Sequence, residues 1–271
     1  MLLQHNPFFE KNIMQERHRN RELYFKELSI TSKKYFVPYI SHYKKIETGI
    51  NVLEIGCGDG GNLLPFFEMG CNTVGVDMSE SRIKDAILFF KKSHAKGKFI
   101  ASDIFKLKEL ESNFDIIICH DVIEHIENKS VFLKNMKNYL KPQGLIFMSF
   151  PAWQMPFGGH QQICKGKIMS HLPFFHLLPR SMYKAILELS GEGQGCVKEL
   201  LEIKKTRTSI ELFERLAKQE KIQISNRTLF FINPHYEIKF GLKPKKLCSI
   251  LSSLPCVRNY FTTSCFYILR L

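Results

Sequence analysis

The stretch Val52 to Gly60, VLEIGCGDG, restricts the fold of this chain more than any other. An apolar run ends in a turn bearing Gly56, Gly58 and Gly60, with Glu54 the one acid inside the strand. Glycine lets backbone approach a ligand closely and takes up φ angles that other residues avoid. A strand that turns through such a loop into a helix is how doubly wound α/β proteins hold nucleotide-like ligands. From Gly56 the order is GCGDGG, so Gly61 could fill the third place of the dinucleotide fingerprint, where glycine packs helix against strand. No lysine followed by serine or threonine lies in the loop, which excludes a phosphate-binding P-loop. Glu54 would repel a pyrophosphate, and a ligand carrying positive charge removes that objection.

Around this loop the chain alternates strands and helices. Asn51 to Ile55, Thr73 to Val76, Lys98 to Ala101, Phe114 to Cys119 and Leu145 to Phe150 read as strands. Phe114 to Cys119 is apolar on both faces, as a central parallel strand must be. Asn62 to Met69 starts a helix with Pro65 in its first turn, where proline is tolerated. Ser79 predicts the cap of a helix burying Ile83, Ala86, Ile87 and Phe90. Ser130 to Leu140 predicts a helix with Leu133, Met136 and Leu140 inward, ended by Pro142 and Gly144. This alternation implies a parallel sheet with right-handed crossovers. Residues 8–46 are helical in tendency, with Pro38 limiting the second segment. From Pro151 to about Lys205 the alternation breaks, with Trp153, Gly158, Gly159 and the histidines 160, 171 and 176. GEGQG (191–195) follows no strand and reads as a flexible turn. Regular structure resumes with a capping box of Thr208 and Glu211, then a helix lined by Ile210, Phe213, Leu216 and Ala217. Ile222 to Ile232 and Phe261 to Leu269 read as two long strands, joined by an irregular or helical connection that includes Lys243 to Leu254. The expected organisation is an N-terminal helical extension (1–46), a core (47–151 and 206–271) and an inserted cap (152–205).

Five ordered features between about Asn51 and Pro151 carry a family resemblance. They are the glycine loop, VGVDMSE, ASDIF, FDIIICHDVIEHI, and a helix, KPQG turn and strand ending in LIFMSFP. Together they resemble the core of a class I S-adenosylmethionine-dependent methyltransferase, in the branch that methylates quinone precursors, sugars and other metabolites. That cofactor has a sulfonium and an ammonium group and no phosphate, which answers the charge of Glu54. The resemblance implies an α/β, Rossmann-like, doubly wound sheet of seven strands with the last antiparallel, plus N-terminal helices and an inserted cap. It also implies that Gly56, Gly58 and Gly60 cradle the methionine part. Glu54 then orients the loop or meets the ammonium through water. Asp77 stands 21 residues beyond Gly56, where a carboxylate accepts from vicinal ribose hydroxyls. Met78 packs on adenine or serves as a core or turn methionine. Asp103 accepts from the adenine amino group while the backbone N–H of Ile104 meets the ring; a plain strand-end turn is the alternative. His120 lies beside the cofactor.

Acceptor chemistry has several candidates. His125 suits a general base because histidine titrates near neutrality; alternatively Glu124 and His125 tether the next helix. His160 is the second candidate base. His120 and Glu124 stand four apart, but spacing places no third ligand, so no metal is expected. Trp153 and Gln161 follow the fifth strand on the acceptor side, with Trp153 either holding a planar acceptor or packing in the core. By the same resemblance Arg21, Tyr24 and Tyr35 fold over the cofactor, Arg21 pairing with the methionine carboxylate. An ordinary amphipathic surface helix is the alternative for all three.

The formal net charge of +13 favours anionic partners: nucleic acid, an acidic membrane surface or phosphorylated substrates. The basic residues are spread widely, though, and the densest short cluster is KFGLKPKK, Lys239 to Lys246. A solvated basic surface is the simpler reading, since no aromatic RNA-binding motif or zinc module accompanies it. Eight cysteines without a C-x-x-C pair read as free thiols in a reducing cytoplasm. No run of about 18 apolar residues predicts a spanning helix, and MLLQHNPFFEKN lacks a secretory pattern. The expected activity is methyl transfer from S-adenosylmethionine to a small-molecule or biosynthetic-intermediate acceptor, releasing S-adenosylhomocysteine in the cytoplasm. The rivals are an RNA methyltransferase, an enzyme of a lipid-linked acceptor in peripheral membrane contact, and a basic nucleic-acid-binding module without catalysis. Acceptor identity and oligomeric state have no signature in the sequence.

Overall fold

A computed structural model describes residues 20–271. Residues 1–19, which open the expected N-terminal extension, lie outside the described residues. The chain forms two compact units, Met1–Lys108 and Glu109–Leu271.

In the first unit, Asn20 caps helix α1 (Arg21–Thr31), its Oδ1 accepting from the Leu23 N–H at 3.0 Å. The helical path then widens into a π turn (Ser32–Phe36) and continues through Val37–Ser41. Pro38 therefore does not limit this segment. The wider turn ends just before it, so its missing N–H falls where a new helical stretch begins. Strands β1 (Asn51–Ile55), β2 (Asn72–Asp77) and β3 (Lys98–Ala101) are parallel, with β2 between the other two. Ser79 caps α2 (Glu80–Lys92), as expected. The buried face of α2 is Ile83, Ala86, Phe89 and Phe90, whereas Ile87 is 52% exposed. The expected face turns because Phe25 of α1 packs on both rings, at 5.3 Å from Phe89 and 6.2 Å from Phe90. A phenyl ring withdraws more apolar surface than an isoleucine, so the rings take the interior.

The second unit carries β4 (Phe114–His120), α3 (Lys129–Met136) and β5 (Leu140–Phe150). β4 and β5 are parallel. Phe114 pairs with Leu140 but Ile116 with Leu145, so KPQG is an outward excursion of the strand, with Gln143 at φ 61°. Next come α4 (Arg180–Leu189) and α5 (Gln194–Thr206), which share a small core of Cys164, Phe175, Tyr183, Leu187, Val197 and Leu200. Helix α6 (Ile210–Gln219) follows. Its cap is Ser209, whose Oγ accepts from the Leu212 N–H at 3.1 Å, and not the expected Thr208. The Thr208 hydroxyl turns back to the Ile123 carbonyl, and Glu211 is drawn to Arg258 and Asn259. The unit ends with β6 (Gln223–Ile232), β7 (Lys245–Lys246) and β8 (Ser264–Arg270). β8 is antiparallel to both β5 and β6, as expected of the last strand.

The described residues thus hold eight strands where seven were expected. The addition is β7, a two-residue pairing of the KPKK segment with Phe230 and Ile232 of β6. A strand so short, made of two lysines, has no alternation to read, and its charges blunt the sheet edge. No helix among the described residues is long and apolar enough to cross a membrane.

Candidate functional site

The glycine loop is built by β1 and β2 together. The Gly56 and Cys57 N–H groups both donate to the Val76 carbonyl, at 2.8 and 3.1 Å. Gly56, Gly58 and Gly60 have φ of 71°, 52° and 83°, the left-handed region that glycine enters without strain. Space is as restrictive as φ. A Cβ on Gly58 would stand 3.0 Å from the Arg82 guanidinium, and one on Gly60 2.9 Å from the Phe99 ring. Gly61 takes a different role from the fingerprint's third glycine: a Cβ there would meet the Phe25 carbonyl at 2.5 Å, so it admits the backbone of α1.

Glu54 is 1% exposed, and its Oε1 accepts from the Asn62 amide at 2.7 Å. Asn62 in turn is fixed through its carbonyl by the Ser32 hydroxyl at 2.8 Å. The second carboxyl oxygen of Glu54 is buried without a hydrogen-bond partner. Burial pushes its pKa up to about 8, with Asp77 adding to the rise and the Asn62 bond opposing it. Nearby, Asp59 is also buried with an unpartnered Oδ1, and burial raises its pKa against the pull of Arg82 and Arg21. Glu54 in the strand and Asp59 in the loop are thus two buried acids, each with one oxygen lacking a hydrogen-bond partner.

Asp77 ends β2 half-buried. Its Oδ2 accepts from the Gly58 N–H at 2.9 Å and its Oδ1 from the Ser79 N–H at 2.8 Å. Each carboxylate oxygen has a further lone pair, so the group is oriented without being exhausted. Met78 is 80% exposed beside it, an apolar surface left open. Asp103 caps a short 3-10 turn, its Oδ1 accepting from the Phe105 N–H at 3.1 Å, and Ile104 is buried. Arg21 is already engaged: its guanidinium lies 2.5 Å from Asp85 and 3.9 Å from Asp59. Tyr24 and Tyr35 are half-buried on the N-terminal helices.

The second unit gathers the remaining candidates at the end of β4. His120 closes that strand, its Nε2 3.5 Å from Asp121. Asp121 itself sits at φ 53°. Glu124 is buried with both carboxyl oxygens unpartnered, and burial, then Asp121, hold its pKa far above the carboxylate range. His125 is exposed and His160 half-buried; their rings stand 5.2 Å apart, nearly perpendicular. Burial lowers the His160 pKa, partly offset by Asp121, and so favours the neutral imidazole. Donor atoms of Glu124, His125 and His160 lie within 4.8 Å of one another, a set able to hold a divalent cation. His160 lies 36 residues beyond Glu124, so local spacing could not supply this third donor.

Trp153 and Gln161 are placed as ties within the 152–205 segment. The Trp153 carbonyl meets His176 Nε2 at 2.7 Å, and its ring packs edge-on against that imidazole at 4.6 Å. The Gln161 amide donates to the carbonyls of Pro156 and Leu172, at 3.0 and 3.2 Å. His176, unremarked in the sequence beyond its presence, is fully buried and its pKa falls to about 4 through burial.

The residues of the first unit fit S-adenosylmethionine. An unpartnered buried carboxyl oxygen awaits a cationic donor, glycines clear a backbone cradle, and an oriented carboxylate stands next to an open apolar side chain. Sequence and structure comparisons agree. Residues 46–220 match the family model described as a methyltransferase domain, and the chain belongs to that family, in its class I S-adenosylmethionine-dependent form. The ubiquinone biosynthesis O-methyltransferase of Rickettsia canadensis (strain McKiel) is 35% identical over 111 residues, covering 40% of this chain and 45% of the relative. The chain therefore matches less than half the length of that relative. Among solved structures, a putative sarcosine dimethylglycine methyltransferase from Galdieria sulphuraria aligns with a TM-score of 0.58 at 12% identity, over 89% of this chain and 85% of the other. An S-adenosylmethionine-dependent methyltransferase from Clostridium acetobutylicum aligns at 0.55 with 14% identity, over 89% and 91%. These two likenesses are of fold.

Proposed function

We propose that the chain transfers a methyl group from S-adenosylmethionine to a hydroxyl oxygen of a small-molecule acceptor, most simply a phenol of the quinone-precursor kind. The observation that carries the cofactor half is Glu54, a buried acid in the strand that leads into the glycine loop, with one oxygen lacking a hydrogen-bond partner. The acceptor half is supported by the paired imidazoles of His125 and His160 and by the likeness to the ubiquinone biosynthesis O-methyltransferase of Rickettsia canadensis.

When bound, the cofactor supplies a methyl already activated by its sulfonium. The protein's contribution is alignment, exclusion of water and removal of one proton. Glu54 and the loop glycines hold the methionine end, Asp77 takes the ribose hydroxyls, and Met78 with Asp103 and Ile104 holds the base. Arg21, Tyr24 and Tyr35 close over that set, and His120 ends β4 in the second unit. In the second unit His160, kept neutral by burial, or its neighbour His125 takes the acceptor proton. Trp153 and Gln161 shape the 152–205 segment that selects the acceptor.

Calorimetry with S-adenosylmethionine and S-adenosylhomocysteine, followed by labelled methyl transfer to phenolic acceptors, tests the reading. No binding of either compound overturns it. Asp77→Ala weakens cofactor binding about tenfold, the lower end of the loss of a charged hydrogen bond because the group is partly solvated. Unchanged affinity removes Asp77 from the ribose site. His160→Ala or His125→Ala lowers kcat about a hundredfold or more and alters the acid limb of its pH profile, and burial of His160 sets that limb below the usual imidazole range. Two unaltered profiles exclude both as bases.

A further inference from the structure

Outside the candidate site, three metal-ligand side chains meet inside the 152–205 segment. Cys164 ends a short 3-10 turn, Glu192 lies in the loop after α4, and Cys196 sits in the first turn of α5. One donor atom from each lies within 4.8 Å of the other two. Cys164 and Glu192 are buried, and Cys196 is half-buried. We propose that Cys164, Cys196 and Glu192 form a structural site for a thiophilic divalent cation of the zinc type.

A core cysteine usually serves as a small apolar side chain, and two of them together need no further account. The carboxylate beside them does. Glu192 is 7% exposed, next to an apolar cluster of Phe175, Tyr183, Leu187 and Val197. Its two oxygens are held by the Lys165 and Gly166 N–H groups, at 2.9 and 2.8 Å. Those bonds fix the carboxylate against the sulfurs and leave lone pairs on both oxygens. The second independent sign is Tyr183, fully buried with a hydroxyl that has no hydrogen-bond partner. Tyr183 shares one buried cluster with Cys164, and Cys196 packs against that cluster. A neutral thiol is a poor acceptor for the phenol, whereas a metal thiolate is a good one.

The chemistry balances. Without metal both cysteines are free thiols. Binding of one divalent cation releases two thiol protons to solvent. Two thiolates and one carboxylate then face a charge of +2, leaving −1, which the N–H groups on Glu192, the Tyr183 hydroxyl and the N-terminus of α5 offset. Tetrahedral zinc with Zn–S bonds of about 2.3 Å places its sulfurs about 3.8 Å apart, so the donors need close in by no more than about 1 Å. Solvent takes the fourth position. The cation would join the start of the segment to α5 across 31 intervening residues, in a stretch with no regular sheet to hold it.

The full chain, reduced, stripped with chelator and titrated anaerobically with Co²⁺, tests this. The expected result is a thiolate-to-cobalt absorption band in the near ultraviolet that saturates at one cobalt per chain. Cys164→Ser and Cys196→Ser each remove that saturating band. Cobalt at Glu124, His125 and His160 gives no such band, so the two clusters are told apart. In case the variants unfold, X-ray absorption of the zinc-loaded wild type is expected to show two sulfur scatterers. A wild type without the band, a band that survives both substitutions, or a shell of only nitrogen and oxygen overturns the site. None of these outcomes bears on cofactor binding, which calorimetry reads separately.

Discussion

Replacing Arg258 with methionine lowers the stability of the folded chain by about 3–5 kcal/mol, the usual cost of removing one partner from a buried ionic network. Arg258 is 6% exposed. Its Nε lies 2.9 Å from Glu211 and its Nη2 2.9 Å from Glu214. Both acids have further partners: Glu211 accepts from the Cys256 N–H and the Asn259 amide, Glu214 from Arg227 and the Tyr267 hydroxyl. Burial opposes the ionisation of Glu211, but these hydrogen bonds prevail and hold its pKa below the usual range. Removal of the guanidinium leaves two carboxylates, each short of one of its three donors. The damage falls where α6 meets β8, against the packing of Phe213 on Tyr267 at 4.7 Å. Urea unfolding should show a lower midpoint with an unchanged slope. Adding Glu211→Gln and Glu214→Gln to the variant recovers part of the loss, because neutral amides relieve the repulsion. A midpoint within about 0.5 kcal/mol of wild type would reduce the network to a surface contact.

Legibility in the sequence followed the range of the forces involved. Strands β1 and β4 and the glycine loop were readable because apolar runs and glycines act within a few residues. The Ser79 cap was readable for the same reason. The face of α2 was misread by one position, since Phe89 wins its place through Phe25, which lies 64 residues away. Thr208 looked like a cap by spacing, yet Ser209 caps because Glu211 is claimed by Arg258 from far along the chain. Pro38 looked like a helix stop, and a π turn absorbs it. At the candidate site the division is the same. Glu54 was recognisable as an acid in a strand, but its unpartnered oxygen depends on Asn62 and Ser32. His125 and His160 were separate candidates in sequence, and only the fold brings their rings together, edge to face. Trp153 and Gln161 were placed on the acceptor side by order alone; the Trp153 carbonyl and the Gln161 amide nitrogen are engaged within the segment, while Gln161 Oε1 is buried without a hydrogen-bond partner.

Glu54→Gln separates the two roles open to that residue. In the free protein burial holds the Glu54 pKa at about 8, against a reference of 4.5, so near neutrality the carboxyl is protonated. An acid raised in this way binds its proton more tightly folded than unfolded. Its contribution to stability is full below about pH 4.5 and declines as pH rises to about 8. Glutamine is uncharged throughout and can still accept from Asn62, so the variant should gain stability relative to wild type as pH rises through that window. Cofactor binding should move the opposite way. The ammonium of S-adenosylmethionine favours the carboxylate, so wild-type affinity should climb with pH up to about 8, with close to one proton released per ligand at pH 7. In the glutamine variant that release disappears and affinity above about pH 8 falls about tenfold to a hundredfold, the loss of one charge-assisted hydrogen bond. Calorimetry in two buffers of different protonation enthalpy reads the proton directly. Equal heats in both buffers for the wild type, with an unweakened variant, would assign Glu54 to holding Asn62 and the loop, and would move the ammonium to Asp59, a buried acid of the glycine loop itself whose Oδ1 lacks a hydrogen-bond partner.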